Sequence, residues 1–223
     1  MIKLVSFDLG GTLVYSRGKF QNKFDLLAKQ IGVPCKNLKD FLKPIIYCKK
    51  LSQEQIIDLL QKEFSVKIQN KNILSKIFES KKTHYVYKDT FGILKKLKNK
   101  NLKIAIVTNQ NCFNKIMKFE FFDLVDFYVS SLDVGVCKPN RAIFEHLSKI
   151  ANVRPDEILH LGDNINSDYY GAKNAGCHSV LIDRNKNLNF SKQKFDFSNK
   201  IETIDKINSL NAVISVINQI NAK

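Results

Sequence analysis

The stretch FDLGGTL, Phe7 to Leu13, sets a carboxylate, Asp8, against a Gly-Gly turn and follows it four residues later with the hydroxyl of Thr12. An apolar run from Ile2 to Phe7 leads into it. That is how a buried strand presents a reactive group at its end. Three further elements follow in order: Thr108 in IVTNQ, Lys138 in VCKPN, and Asp163 with Asp168 in LGDNINSDYYGA. Taken singly, each has a plainer explanation: a strand-end hydroxyl, a solvated lysine, a turn or helix-start acid. Their ordered co-occurrence points to a site. Clustered carboxylates facing Asp8 would repel one another unless a cation sat between them. Gly10 and Gly11 do not open a P-loop, because the lysine-hydroxyl ending of that motif is absent.

These residues need a scaffold that brings strand ends together. From about residue 89 onward the sequence alternates helical and apolar strand patterns. We expect a helix over 91–99, a strand over 104–107, a helix near 111–119 and a strand over 127–129. A helix opened by Pro139, a strand over 158–161, a helix over 167–175 with Ser167 as its cap and a strand over 179–182 come next. Such alternation implies an α/β fold, a doubly wound parallel sheet with helices on both faces. Its ligands lie at the carboxyl ends of the strands beside the switch point, which places Asp8, Thr108 and Asp163 together. The irregular stretch 185–199 reads as a surface connection, 201–204 as an edge strand and 209–220 as a closing helix.

Residues 19–82 differ in character, with helix-period apolar positions and almost no strand signal. Phe20, Phe24, Leu27 and Ile31 share one face, as do Ile56, Leu60 and Phe64, and Ser52 with Gln55 resembles a capping box. The expected division is a core of residues 1–14 plus 89–223 and an all-helical insert over 15–88.

Composition narrows the class of function. The 223 residues suffice for a sizeable core. No run of about 18 apolar residues occurs, and the acidic residue at position 8 comes too early for a secretory leader, so the expectation is a soluble cytoplasmic protein away from membranes. Lysine and arginine number 36 against 21 acids, a formal charge of +15. The excess is almost all lysine and spread along the chain, without a basic stripe interleaved with aromatics, so no nucleic acid is expected as partner. The five cysteines, Cys35, Cys48, Cys112, Cys137 and Cys177, are scattered and odd in number. They read as small buried apolar residues and neither as a disulfide framework nor as a zinc site. The four histidines share no ligand spacing, and His160 and His178 read as packed core residues.

The four ordered elements, together with the helical insert after the first strand, resemble the haloacid dehalogenase-like hydrolase superfamily, in the subgroup with a helical cap. The resemblance covers essentially the whole chain and implies a role for each position. Asp8 would be the nucleophile that attacks phosphorus and forms an aspartyl-phosphate. Asp8, the carbonyl of Gly10, Asp163 and Asp168 would hold Mg²⁺. Gly11, Thr12, Thr108, Asn109 and Lys138 would bind the phosphoryl group of a small phosphorylated substrate, with Lys138 neutralising its charge. The resemblance leaves monomer and dimer both open.

One position departs from the family's pattern. Phosphatases of this superfamily usually carry a second aspartate two residues after the nucleophile, which protonates the leaving alkoxide and activates water; here Gly10 stands there. Glycine keeps the backbone carbonyl and loses the acid. The expected function is therefore a magnesium-dependent phosphohydrolase favouring good leaving groups, or one that draws its proton from substrate or from Tyr15, Ser16, Arg17 or Asp25 near the start of the cap. The alternatives are a non-catalytic module that binds phosphate and magnesium, favoured by Gly10 alone, and a metal-independent 2-haloacid dehalogenase, disfavoured by the paired Asp163 and Asp168.

Overall fold

The structure is a computed structural model, and it describes residues 1–17, 23–70, 74, 83–109, 118–184 and 205–222. Among these, six strands form one parallel sheet: β1 (Leu4–Phe7), β4 (Lys103–Thr108), β5 (Phe127–Ser130), β6 (Ile158–Gly162), β7 (His178–Ile182) and β8 (Lys206–Ile207), in the order β5-β4-β1-β6-β7-β8. The chain runs outward from β1 to β4 and β5, then returns to the other side of β1 with β6 and continues to β7 and β8. Beside β1 the winding reverses, and the crevice at its carboxyl end is the switch point where such sheets bind ligands. Register sharpens this: Phe7, the last residue of β1, is level with Ile106 on one side and Leu161 on the other, so β4 runs on past it to Thr108 and β6 to Gly162, and the three strand ends lie close together.

Period-two alternation divides the strand side chains between two cores. Val5, Phe7, Ile104 and Ile106 face a cluster with Ile93, Leu94 and Leu97 of one helix, α4 (Thr90–Asn99), and Val213 and Ile217 of the C-terminal helix (Val213–Asn221). Leu4, Ala105 and Val107 face Ile143, Phe144 and Leu147 of the helix Arg141–Ala151 on the opposite face. Both faces of the sheet are thus covered, which is why its strands read as nearly continuous apolar runs.

Between the first two core strands lie α1 (Lys23–Ile31), α2 (Cys35–Cys48) and α3 (Gln53–Phe64), with an apolar cluster of their own that includes Leu27, Leu38, Leu42, Ile56 and Leu60. The capping box is present: Gln55 N–H donates to Ser52 Oγ and Ser52 N–H to the Gln55 side chain. The insert is not purely helical, however. Its stem is a two-stranded antiparallel ribbon, β2 (Val14–Arg17) with β3 (Thr83–Val86), held in part by Tyr15 stacked on Tyr85 at 5.5 Å. The helical pattern of the insert masked it, because each strand has only four residues.

Other corrections concern caps and ends. The helix expected to open at Pro139 instead begins after Asn140, which caps Arg141–Ala151 by accepting from Ala142 N–H. Asn164, not Ser167, caps the helical segment that opens as a π-turn at Ile165 and continues to Asn174. Ser209 caps the closing segment, whose first turn is a 3₁₀ turn. The helix expected at 111–119 falls mostly, and the strand expected at 201–204 wholly, outside the described residues. The cysteine reading is overturned as well: Cys48 and Cys137 form a disulfide, 89 residues apart in sequence. Spacing could not reveal a pair that only the fold brings together. Cys177 is buried, as expected, whereas Cys35 is half-exposed. No helix among the described residues is long and apolar enough to cross a membrane.

Candidate active site

Asp8 follows directly on β1, and its N–H donates to Leu161 O at 2.8 Å, which ties the first residue after the strand to β6. The turn beyond it closes tightly: Gly11 N–H donates to Val14 O, and Leu13 and Val14 N–H both donate to Leu9 O. Gly11 has φ +82°, and a methyl group there would lie 2.1 Å from Asp163 Oδ2. Glycine is required twice over, by backbone conformation and by the approach of the Asp163 carboxylate. Gly162 is constrained by approach alone, since a Cβ would meet Asp168 Cγ at 2.2 Å. Gly10 is under neither constraint: its φ is not in the left-handed region, and a Cβ there would meet no atom of the described residues within 4 Å.

Lys138 holds the centre. Its buried ammonium donates to Asp8 Oδ1 at 2.7 Å, Asp168 Oδ1 at 2.7 Å and the carbonyl of Val107 at 2.6 Å, which satisfies all three of its protons. Asn109 fixes its backbone from β4's end, the side-chain oxygen accepting from Lys138 N–H at 2.8 Å and the amide donating to Lys138 O at 3.0 Å. Asp168 Oδ2 accepts from Asn164 N–H at 3.0 Å, and its Oδ1 also lies 3.4 Å from His160 Nε2. The ionised carboxylate can only accept, so Nε2 carries the imidazole proton. Nδ1 therefore accepts from the Ser6 hydroxyl at 2.9 Å. Sequence reasoning placed His160 in the core, where it is fully buried. Its contact with Asp168 was missed, since nothing local in ILHLG indicates it.

Asp8, Asp163 and Asp168 each offer a carboxylate oxygen within 4.8 Å of the others. Three carboxylates against one ammonium leave two negative charges uncompensated, the charge of one divalent cation. His160 does not supply the difference, because burial lowers its pKa and keeps it neutral. The strain is visible in the titration of the cluster. Burial first, with Asp168 and Asp163 adding to it and Lys138 opposing it, pushes Asp8 up to about 7. Burial and then Asp168 push Asp163 up to about 6. Asp168 is driven the other way: burial would raise it, but Lys138 and His160 hold it well below the usual carboxylate range. Burial likewise works against the charge on Lys138, and Asp168 and Asp8 outweigh it, so its pKa rises. An all-oxygen, doubly negative donor set fits a hard divalent cation.

Thr108, buried at the end of β4, and Thr12 complete the strand-end positions. Thr12 Oγ1 is buried without a hydrogen-bond partner among the described residues, on the turn that carries Gly11. Of the groups considered as a replacement acid, Tyr15 packs on Tyr85 and Tyr87, Ser16 Oγ lies 3.2 Å from His84 Nδ1, and Asp25 is engaged by Cys35 and Lys39 within the insert. The Arg17 side chain lies outside the described residues. Tyr87 was missed: its ring lies 4.0 Å from the Arg184 guanidinium carbon. Burial raises its pKa, with Arg184 opposing and the charge of Asp163 adding to the rise.

The chain has relatives among known proteins, in sequence and in fold. Glyceraldehyde 3-phosphate phosphatase of Pyrococcus furiosus is 37% identical over 90 residues, 39% of this chain, and the match spans 38% of that protein's length. Among solved structures, 2-haloacid dehalogenase from Pseudomonas syringae pv. Tomato DC3000 has a TM-score of 0.62 at 20% identity, covering 98% of this chain and 99% of that one. A HAD family enzyme from Bacteroides thetaiotaomicron, crystallised with magnesium and inorganic phosphate, has a TM-score of 0.60 at 16% identity, covering 86% and 100%. At these identities the structures speak to the fold alone. The family profile "haloacid dehalogenase-like hydrolase" matches residues 2–176, a span that begins just before the first strand and takes in Asp8, Thr108, Lys138, Asp163 and Asp168, and the chain belongs to that family.

Proposed function

We propose that the protein is a magnesium-dependent phosphohydrolase acting on a small phosphorylated molecule through an aspartyl-phosphate on Asp8, with a bias toward good leaving groups. The observation that carries this is the doubly negative cluster of Asp8, Asp163 and Asp168 around a single lysine, next to a glycine where an acid would stand. Asp8, Asp163 and Asp168, with the carbonyl of Gly10, would hold the cation, which when bound would supply charge to the phosphoryl oxygens. Asp8 attacks phosphorus; the bond to the leaving oxygen breaks and that oxygen departs with the electron pair. Lys138, held between Asp8 and Asp168, offsets the charge gathered there, and its three anchored protons fix it in place before reaction. Thr108, the backbone of Asn109, Gly11 and the unpartnered hydroxyl of Thr12 would take the phosphoryl oxygens. Water then cleaves the aspartyl-phosphate.

Gly10 offers neither a proton to the leaving oxygen nor a base to the water. General acid–base help of this kind is worth roughly 10² to 10⁴ in rate. An acyl or aryl phosphate loses little without it, and an alkyl phosphate loses much. The relative named glyceraldehyde 3-phosphate phosphatase supports a small phosphorylated substrate. Glyceraldehyde 3-phosphate is itself an alkyl phosphate, so it belongs in any test panel. Turnover of acetyl phosphate, an aryl phosphate and glyceraldehyde 3-phosphate should be measured with magnesium and with chelator, using Asp8→Asn as the blank. Magnesium-dependent turnover that falls from acyl to alkyl and vanishes in the blank is expected. Magnesium-dependent phosphate binding without turnover would favour the non-catalytic module that Gly10 alone suggests. Release of halide without metal would favour the dehalogenase.

A further inference from the structure

The helical insert touches the core at a second place, away from its ribbon stem. Cys48 is the last residue of α2, and Cys137 immediately precedes Lys138. Their Cα atoms are 6.1 Å apart, and the sulfurs are joined. Beside them the Ser131 hydroxyl donates to Tyr47 O at 2.6 Å, and Lys50 lies 3.2 Å from Asp133 in an exposed ion pair. The insert is therefore fastened on two sides, by the ribbon that continues the chain and by a covalent bond to the loop that carries the site lysine. Both cysteines are only half-buried, within reach of small oxidants and reductants.

We propose that Cys48 and Cys137 are a reversible redox latch that fastens the insert to the Lys138 loop and, in the oxidised state, restrains its opening over the strand ends. The effect on turnover rests on the phosphohydrolase reading above; the latch itself does not. Lids of this kind must open to exchange ligands. With the bond reduced, the polar links that remain between α2's end and the core among the described residues are one hydrogen bond and a screened surface ion pair, beside the packing of α2 on residues 131–134. The site survives reduction, because Asn109 clamps the Lys138 backbone from the core side and the ammonium keeps its three acceptors. Redox state would thus act on exchange and leave the reacting groups assembled. Closing the latch with hydrogen peroxide balances simply. One thiolate attacks peroxide oxygen to give a sulfenic acid and hydroxide. The second thiolate then displaces the sulfenic oxygen, so two thiols and one peroxide yield a disulfide and two waters. A dithiol reductant returns two electrons and two protons.

The full chain, reduced and then treated with hydrogen peroxide or left reduced, should be compared in three ways. Peptide mapping under non-reducing conditions should find Cys48 joined to Cys137 only after peroxide. Hydrogen exchange at the linkers 14–17 and 83–89 should be slower in the oxidised form. Turnover of acetyl phosphate with magnesium should fall several-fold on oxidation, recover on reduction, and be indifferent to peroxide in Cys48→Ser. Absence of the cross-linked peptide, or linker exchange equal in both states, would overturn the latch even if turnover is found. A redox-dependent cross-link and linker protection with no turnover in either state would uphold the latch and remove the phosphohydrolase reading instead.

Discussion

Lys138 and the glycines decide what the site can do. Buried ions survive only when paired and bonded, and Lys138 meets that condition with two carboxylates and one carbonyl. Gly11 is the residue least able to change. Replacing it by alanine would demand a positive φ of a residue with a Cβ and would drive that atom into the Asp163 carboxylate. Gly11→Ala should therefore cost more than about 1 kcal/mol of folding stability and weaken magnesium binding as well, read by denaturant unfolding and by calorimetric titration of magnesium. Stability and affinity both unchanged would contradict the close approach of Gly11 to Asp163.

At the scale of elements, the junction between insert and core is built on Asp89, which stands just before α4. Arg184, after β7, donates twice to its carboxylate, at 2.8 and 2.7 Å, and also to Thr12 O; Ser209 Oγ and Leu210 N–H add bonds from the segment that opens the C-terminal helix. Burial would raise the Asp89 pKa, but these bonds overcome it and hold the group below its ordinary value of 3.8. A depressed carboxylate stabilises the fold fully above that ordinary value, and the contribution disappears as pH falls through the lower folded value. Asp89→Asn should lower stability at neutral pH and flatten the loss of stability below about pH 4, as measured by denaturant midpoints across pH. An unchanged acid limb would mean that this network does not couple to folding. The strands and helices that surround the site were legible because their apolar periods are long: 91–99, 104–107 and 158–161 in the sequence correspond closely to Thr90–Asn99, Lys103–Thr108 and Ile158–Gly162. The ribbon stem was not, since four-residue strands at an insert boundary carry too few periods to register. Nor was the Asp89–Arg184 pair, whose partners are 95 residues apart and which no local pattern links.

For the whole molecule, the governing feature is a carboxylate cluster that, fully ionised, carries two negative charges beyond what Lys138 offsets, at the switch point of a sheet whose central strands end close together. Asp8, Thr108 and Asp163 could be read as neighbours from sequence because a parallel sheet brings strand ends together whatever lies between them, whereas Lys138, eight residues beyond the strand Phe127–Ser130, was expected there from the family resemblance. His160, Tyr87 and the Cys48–Cys137 link could not, because they depend on packing between distant segments. A cation that relieves the repulsion must bind the folded state and stabilise it. Magnesium at about one hundred times its dissociation constant should add about 2.7 kcal/mol, seen as a rise in melting temperature that chelator reverses and that Asp163→Asn diminishes. A melting temperature indifferent to magnesium would count against the charge argument.

The most direct measurement of the central claim is the ratio of acetyl phosphate to alkyl phosphate turnover in the natural chain and in Gly10→Asp, each with magnesium. A Cβ at Gly10 would meet no atom of the described residues within 4 Å, so a side chain can leave the backbone there without a clash at its first atom. We predict a steep preference for acetyl phosphate in the natural chain and a gain on the alkyl phosphate of roughly 10²-fold or more in Gly10→Asp, with acetyl phosphate little changed. Equal turnover of both substrates by the natural chain, unaltered by the substitution, would contradict the account and mean that another group already supplies the proton.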